Sequence, residues 1–202
     1  MTIKVGIFVF PEVEVLDFAG PYEVFTTASR VFGRAHPGGE PPFMVFTVGS
    51  STATIKARAG LPVLPEYGFT GHPPIDLLIV PGGVVTEELA KPAVGDWIAR
   101  VAAGTRITAS VCTGAFLLAK AGLLDGKRAT THREDIADLQ RDFPRMEVQA
   151  DQRWVDEGQV VTAGGISAGI DMSLHLVERL AGRELALQTA RQMEFRWAEN
   201  AS

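Results

Sequence analysis

The chain has 202 residues, a formal net charge of −5 and one cysteine. The negative charge argues against a nucleic-acid-binding surface, and one cysteine permits no internal disulfide. The sequence shows neither a signal-peptide pattern nor an apolar run of the ~20 residues that span a bilayer, so we expect a cytoplasmic protein without a membrane or nucleic-acid partner.

Short apolar runs are predicted to be the strands of a parallel sheet. The first, residues 4–10, is apolar at nearly every position after Lys4, which is typical of a strand covered on both faces. The other predicted strands cover residues 43–48, 76–80, 107–111, 147–155 and 159–163, with a small hairpin at 54–57 and 61–64.

Helices are predicted between these strands. Pro21 is a favourable first residue of a helix, so residues 12–20 are predicted to be a loop, and Thr86 is a candidate N-cap. The predicted helices cover residues 21–30, 86–103, 114–121, 133–141, 166–181 and 184–197. This alternation indicates one α/β domain, residues 1–202, with a mostly parallel sheet and helices on both faces.

Cys112 lies where a predicted strand turns into a predicted helix. A side chain on such a turn projects from the edge of the sheet, as in a nucleophile elbow. Nearby helix N–H groups would favour a reactive thiolate with a lowered pKa. The alternative is a small core residue, which is the usual role of a lone cysteine in an apolar run.

Asp17 follows the first strand within an apolar stretch and is a candidate general acid–base. Burial of a carboxyl among apolar side chains raises its pKa toward neutrality, where it can both donate and accept a proton. The alternative is an aspartate that merely shapes the loop before Pro21.

Gly82 and Gly83 end another strand, at the edge where ligands bind in open α/β sheets. Their N–H groups, with that of Thr113, could form an oxyanion-type hole, or the glycines could simply make a turn. His132 is a candidate base for Cys112, the alternative being a histidine bonded in a polar turn. No cluster has metal-ligand spacing, so no metal or other cofactor is expected.

These segments together resemble the ThiJ/PfpI superfamily, which has the flavodoxin-like fold of class I glutamine amidotransferases. The resemblance covers nearly the whole chain and is carried by residues 5–11, 15–21, 78–83, 110–115, 129–132 and 162–172. The Leu-Asp-Phe-Ala-Gly-Pro loop and the Cys-Thr-Gly elbow are similar to the branch that contains isonitrile hydratase and the amidase-like sensor domains of AraC-type regulators.

The resemblance implies a role for each candidate residue. Cys112 would be the nucleophile, Asp17 its acidic partner and Thr113 the elbow threonine, and the superfamily usually forms homodimers. Gly82, Gly83, His132 and Ile166 are the candidate substrate-binding residues. One departure is Arg133, where related sequences often have an aromatic residue, and it bears on the shape of the pocket.

Two functions follow from the resemblance. In the first, an enzyme similar to isonitrile hydratase converts R–N≡C and water to an N-substituted formamide. The Cys112 thiolate attacks the terminal carbon, Asp17 delivers the proton, and water then hydrolyses the thioimidate on Cys112. In the second, the chain is a sensor or binding module without a DNA-binding half, and Cys112 is either not catalytic or oxidised to a sulfenic or sulfinic acid.

Overall fold

A six-stranded sheet lies at the centre of the computed structural model, which describes residues 1–199; residues 200–202 of the predicted domain lie outside the described part. The described chain forms strands β1 (Ile3–Phe8), β2 (Phe43–Val48), β3 (Ile55–Lys56), β4 (Pro62–Val63), β5 (Leu77–Val80), β6 (Ile107–Val111), β7 (Arg128–Ala129), β8 (Glu147–Val148), β9 (Trp154–Asp156) and β10 (Val160–Ala163). The strand order in the central sheet is β2-β1-β5-β6-β10-β9. Only β9 pairs antiparallel to its neighbour, so the predicted mostly parallel sheet is confirmed.

Seven α-helices alternate with the strands of the described chain. They are α1 (Val15–Ala35), α2 (Thr86–Leu89), α3 (Pro92–Ala102), α4 (Gly114–Lys120), α5 (Ile136–Asp142), α6 (Ala168–Ala181) and α7 (Arg183–Gln192). No helix within residues 1–199 is both long and apolar enough to cross a membrane.

Two apolar layers cover the two faces of the sheet. In β5 the side chains alternate, with Leu77 and Ile79 packing in one layer and Leu78 and Val80 in the other. The first layer also contains buried residues of α1, α6 and α7, and the second contains buried residues of α3, α4 and α5. Helices therefore lie on both faces, and the uniform burial explains why these strands are apolar at consecutive positions.

Helix α1 begins six residues before the predicted start at Pro21, so the predicted loop 12–20 is wrong over most of its length. Pro21 lies inside α1, where it removes one backbone donor, the one that would bond the carbonyl of Asp17. Burial of the stripe formed by Asp17, Gly20, Val24 and Ala28 along α1 outweighs that loss. Asp17 therefore lies in the first turn of a helix.

Other predicted boundaries are also wrong. The predicted helix 86–103 is two helices, because Pro92 begins α3 as an N-terminal residue, and Thr86 follows the N-cap Val85 instead of being the cap. Residues 147–155 form two short strands. Helix α6 begins at Ala168, which leaves Ile166 in the preceding turn, and α7 ends at Gln192.

Candidate active site

Cys112 occupies a sharp turn between β6 and α4. Its φ is +56°, a backbone conformation that is strained for a residue with a side chain. The Cys112 N–H donates to the carbonyls of Ala163 and Gly164, each at 3.1 Å, and the Thr131 hydroxyl donates to the Cys112 carbonyl at 2.9 Å. These bonds hold the turn in place, so the predicted elbow is present.

Gly114 allows α4 to pack closely against the end of β5. A Cβ atom at this position would lie 2.1 Å from the carbonyl oxygen of Val80 and 2.8 Å from that of Pro81. Only glycine fits at such distances from backbone atoms. The Cys-Thr-Gly sequence therefore brings Cys112 next to the loop that follows β5.

Asp17 reaches the same loop from α1. Its Oδ2 accepts a hydrogen bond of 3.0 Å from the Gly82 N–H, and its side chain is fully buried. Its Oδ1 is also buried and makes no hydrogen bond of ordinary geometry with the described residues. The Asp17 carboxyl group also interacts with the Cys112 thiol. The structure thus brings together two residues that are 95 positions apart in the sequence.

Burial raises the pKa of Asp17 to about 7. The hydrogen bond from Gly82 opposes this rise, the negative charge of Glu14 adds to it, and the Cys112 thiol opposes it more weakly. The predicted upward direction is confirmed. At neutral pH the carboxyl exists in both protonation states, as a group that alternately gives and takes a proton must.

Burial also raises the pKa of the Cys112 thiol, to about 12, and the neighbouring Asp17 charge contributes to the increase. The N–H groups of Thr113 and Ile166 bond the sulfur and lower the pKa, but by less. The expected low-pKa, exposed thiol is therefore wrong, because Cys112 is 7% exposed. The thiol is protonated at rest and becomes a nucleophile only when a neighbouring group accepts its proton.

The N–H groups of Gly82 and Gly83, which were predicted to form an oxyanion hole, both donate to other protein atoms. The Gly82 N–H donates to Asp17, and the Gly83 N–H donates to Thr113 Oγ1 at 2.9 Å. The Thr113 hydroxyl in turn donates to the Gly83 carbonyl at 2.9 Å. These groups position the carboxyl and the elbow, while the N–H groups that face the sulfur are those of Thr113 and Ile166.

A cavity of about 210 Å³ opens beside the sulfur, and it is lined by Cys112, Thr113, Gly83, His132 and Ile166, among others. His132 Nδ1 accepts from the Glu134 N–H at 3.3 Å and lies 3.4 Å from Asp135 Oδ2. His132 Nδ1 therefore faces residues Glu134 and Asp135, which precede α5, and does not face Cys112. His132 lines the cavity without a hydrogen bond to Cys112, so the geometry does not favour the predicted Cys–His pair.

Sequence reasoning missed two contributors to this site. Thr131 anchors the Cys112 carbonyl, and Glu14 precedes α1 and faces Arg58 Nε at 3.7 Å on the cavity wall. No local sequence pattern indicates the position of Glu14, because the early start of α1 depends on the tertiary burial of Asp17 and Gly20. No group of three or more His, Cys, Asp or Glu residues in the described chain could hold a metal ion.

The profile of the DJ-1/PfpI family matches residues 3–179 of the chain. An isonitrile hydratase from Pseudomonas putida is 35% identical over 96% of this chain and 79% of its own length. The HTH-type transcriptional regulator GbdR from Pseudomonas aeruginosa is 31% identical over 91% of this chain, which spans 48% of that regulator.

Solved structures have the same fold. A THiJ/PfpI family protein from Pseudomonas syringae superposes with a TM-score of 0.84 over 98% of this chain and 77% of its own, at 24% identity. The predicted flavodoxin-like α/β fold is therefore confirmed, together with the predicted resemblance.

Proposed function

The chain belongs to the DJ-1/PfpI family, and from this premise we propose that it hydrates isonitriles to N-substituted formamides. The observation that carries the proposal is the pairing of a buried carboxyl, with a pKa of about 7, and the thiol of a strained cysteine turn. The similarity to a bacterial isonitrile hydratase over 96% of the chain supports the choice of reaction.

The terminal carbon of an isonitrile needs a nucleophile and a proton at the same atom. In the first half-reaction the Asp17 carboxylate takes the thiol proton, and the sulfur of Cys112 attacks this carbon. Asp17 then gives the proton to the carbon, which yields the thioimidate R–N=CH–S–Cys112. No group leaves, so this half-reaction is a pure addition. Because donor and acceptor are the same carboxyl, its near-neutral pKa suits both transfers.

Water completes the reaction. The Asp17 carboxylate, regenerated by the first half, removes a proton from a water whose oxygen attacks the thioimidate carbon, and passes this proton to the nitrogen. The tetrahedral intermediate R–NH–CH(OH)–S–Cys112 then collapses. Its hydroxyl becomes the carbonyl, the C–S bond breaks, and the hydroxyl proton returns to the sulfur through Asp17. The products are R–NH–CHO and the free thiol.

The backbone groups around Cys112 support the charged stages of this cycle. The N–H groups of Thr113 and Ile166 bond the sulfur and favour its anionic form, in the attack and again in the collapse. The Gly82 N–H holds Asp17 Oδ2, which leaves Oδ1 free to exchange protons. Each group is positioned before the substrate binds.

A second candidate is a binding module without turnover, which the 31% identity to a transcriptional regulator supports. The oxidation-sensor version of this function is less well supported, because a buried thiol whose pKa is about 12 is almost wholly protonated at neutral pH. Peroxide reacts with thiolates, so such a thiol reacts slowly.

Intact-protein mass spectrometry during single turnover tests the proposal. We expect a species heavier than the protein by the full mass of the alkyl isonitrile, and then its disappearance as formamide accumulates. Cys112→Ala must give neither signal. Formamide formation by Cys112→Ala, or binding of isonitriles with neither adduct nor formamide in the wild type, would contradict the proposal, and the latter would favour the binding module.

A further inference from the structure

A second, larger cavity adjoins the one beside Cys112. Its volume is about 600 Å³, and His132 and Ile166 line both cavities. Small-molecule sites typically occupy about 300–1,000 Å³. The cavity beside the sulfur, at about 210 Å³, is below this range, whereas the second lies within it. A ligand that reacts at Cys112 and is larger than a few atoms can extend past His132 and Ile166 into the second cavity.

The second cavity has an unusual arrangement of charges. Within residues 1–199, the Arg133 guanidinium is exposed and makes neither a hydrogen bond nor an ion pair with another side chain. Arg153 lines the same cavity, but its charge is balanced by the buried carboxylate of Asp171, and it also donates to Ser167. Asp151 contributes an exposed carboxylate without a partner in the described chain.

Arg133 is therefore the cation in this cavity that is free to bind a ligand. A guanidinium presents paired N–H donors in the geometry of a carboxylate, and it keeps its charge at every physiological pH. Arg153 also lines this cavity, and its guanidinium is held in place by Asp171 and Ser167. The Asp151 carboxylate would repel an anionic ligand and so weaken its binding. Removing this charge by substitution therefore tests whether the ligand is an anion.

We propose that the second cavity binds a carboxylate on the substituent of the substrate, with Arg133 as its main partner. The substrate class is then isonitriles that carry a carboxylate a few bonds from the nitrogen. This identification of the reacting group rests on the proposed function, whereas the carboxylate site itself rests on the second cavity alone. Arg133 is a specificity residue that does not touch the reacting carbon.

Binding measurements separate the two claims, because they need no turnover. N-formyl-leucine is the formamide that such a substrate would give, and N-formyl-leucinamide is its neutral match. By isothermal titration calorimetry on the full chain, we expect N-formyl-leucine to bind at least about 10-fold more tightly, in line with a charged hydrogen bond at a partly exposed site.

Charge variants give the expected signs. Arg133→Gln should remove the preference for the carboxylate, and Asp151→Asn should tighten N-formyl-leucine binding about two- to threefold without changing the binding of the amide. Raising the salt from about 0.05 M to about 0.5 M should weaken the wild-type preference for the carboxylate, whereas Arg133→Gln should show no such preference at either salt concentration. Arg106→Gln is the matched control, since Arg106 is also exposed but lies before β6, at the opposite end of that strand from Cys112.

Equal binding of the two compounds, or a preference that survives Arg133→Gln, would overturn the carboxylate site. The proposed function is assessed separately with a neutral alkyl isonitrile. A carboxylate preference without any hydration would leave this site standing and remove the hydratase. Hydration of neutral isonitriles without a preference for the carboxylate ligand would support the hydratase and overturn the carboxylate site.

Discussion

Asp17 combines full burial with a pKa near 7, and this combination has a consequence for stability. Because burial raises its pKa from 3.8, the folded protein holds this proton more tightly than the unfolded chain. Folding therefore loses stability as the pH rises from about 4 to about 7, and the loss is constant above that range.

Asp17→Asn removes the ionisable group and should reverse this loss. We expect the free energy of unfolding of the variant to exceed that of the wild type by a few kcal/mol above pH 7 and by almost nothing at pH 4. Urea unfolding of both proteins across this pH range measures the difference. A difference that does not vary with pH would show that Asp17 titrates normally in the folded protein.

Thr113 acts through its hydroxyl in a way that the sequence did not indicate. Since Oγ1 both accepts from and donates to the backbone of Gly83, the hydroxyl fastens the elbow to the loop after β5. Thr113→Val should lower kcat/KM for the proposed hydration roughly 10-fold, and lower stability by about 1–2 kcal/mol. Thr113→Ser keeps the hydroxyl and should retain most of the wild-type kcat/KM and most of the wild-type stability. Equal losses in the two variants would contradict this role.

At the scale of elements, the junction between β6 and α4 determines where Cys112 lies. Gly114 is required there by the backbone of β5, because a Cβ would lie 2.1 Å from a carbonyl oxygen. Gly114→Ala should therefore reduce the free energy of unfolding by more than about 2 kcal/mol. The measurement is urea denaturation.

Gly95 provides the control for this substitution. It is also helical, in α3, but a Cβ would meet nothing within 4 Å. Gly95→Ala should raise stability by roughly 0.5–1 kcal/mol, because alanine restricts the unfolded chain. If both variants lost stability equally, close packing at the elbow would not be the cause.

The elements also show what sequence patterns could predict. The strand–elbow–helix sequence around Cys112 was predictable, because the partly β-branched run before it favours a strand and the alanine- and leucine-rich segment after it favours a helix. The start of α1 was not predicted, because Pro21 suits a first helical turn as well as the interior position that it occupies. The contribution of tertiary burial to α1 decides between these positions, and a local rule does not contain it.

At the scale of the whole molecule, the central sheet and the cleft at the carboxyl ends of its strands followed from the alternation of strands and helices. The hydrogen-bond partners of Gly82, Gly83 and Thr113 did not, because they depend on how the Asp17 side chain of α1 and the Thr113 side chain at the elbow pack against the loop after β5. The homodimer that the resemblance implies stays a prediction.

Asp171 connects distant parts of the described chain. Its carboxylate bonds Arg153 and, at 2.8 Å, the Ala198 N–H, and its carbonyl accepts from Trp197 Nε1 at 3.1 Å. Asp171→Ala leaves Arg153 without its carboxylate partner and removes the bond to the Ala198 N–H, whereas the bond from Trp197 to the backbone carbonyl remains. We expect a loss of about 2 kcal/mol in the free energy of unfolding, because two hydrogen bonds to a buried carboxylate are lost while the remaining Arg153 is partly exposed to solvent.

An exposed ion pair supplies the comparison. Asp125 pairs with Arg145 at 2.7 Å on the surface, where solvent screens the charges. Asp125→Ala should cost less than about 1 kcal/mol. Thermal or urea unfolding of the two variants measures the contrast, and similar losses would mean that Asp171 makes no special contribution to the fold.

The pH dependence of formamide production reports how Asp17 and Cys112 share a proton during the reaction. The reactive form of the site holds one proton between Asp17 and Cys112, so kcat/KM for a simple alkyl isonitrile should rise about tenfold per pH unit below the Asp17 pKa of about 7 and level off above it. Cys112→Ala and Asp17→Asn should produce almost no formamide at any pH. A profile without an inflection near pH 7, or substantial turnover by either variant, would contradict the proposal that these two residues together hydrate isonitriles.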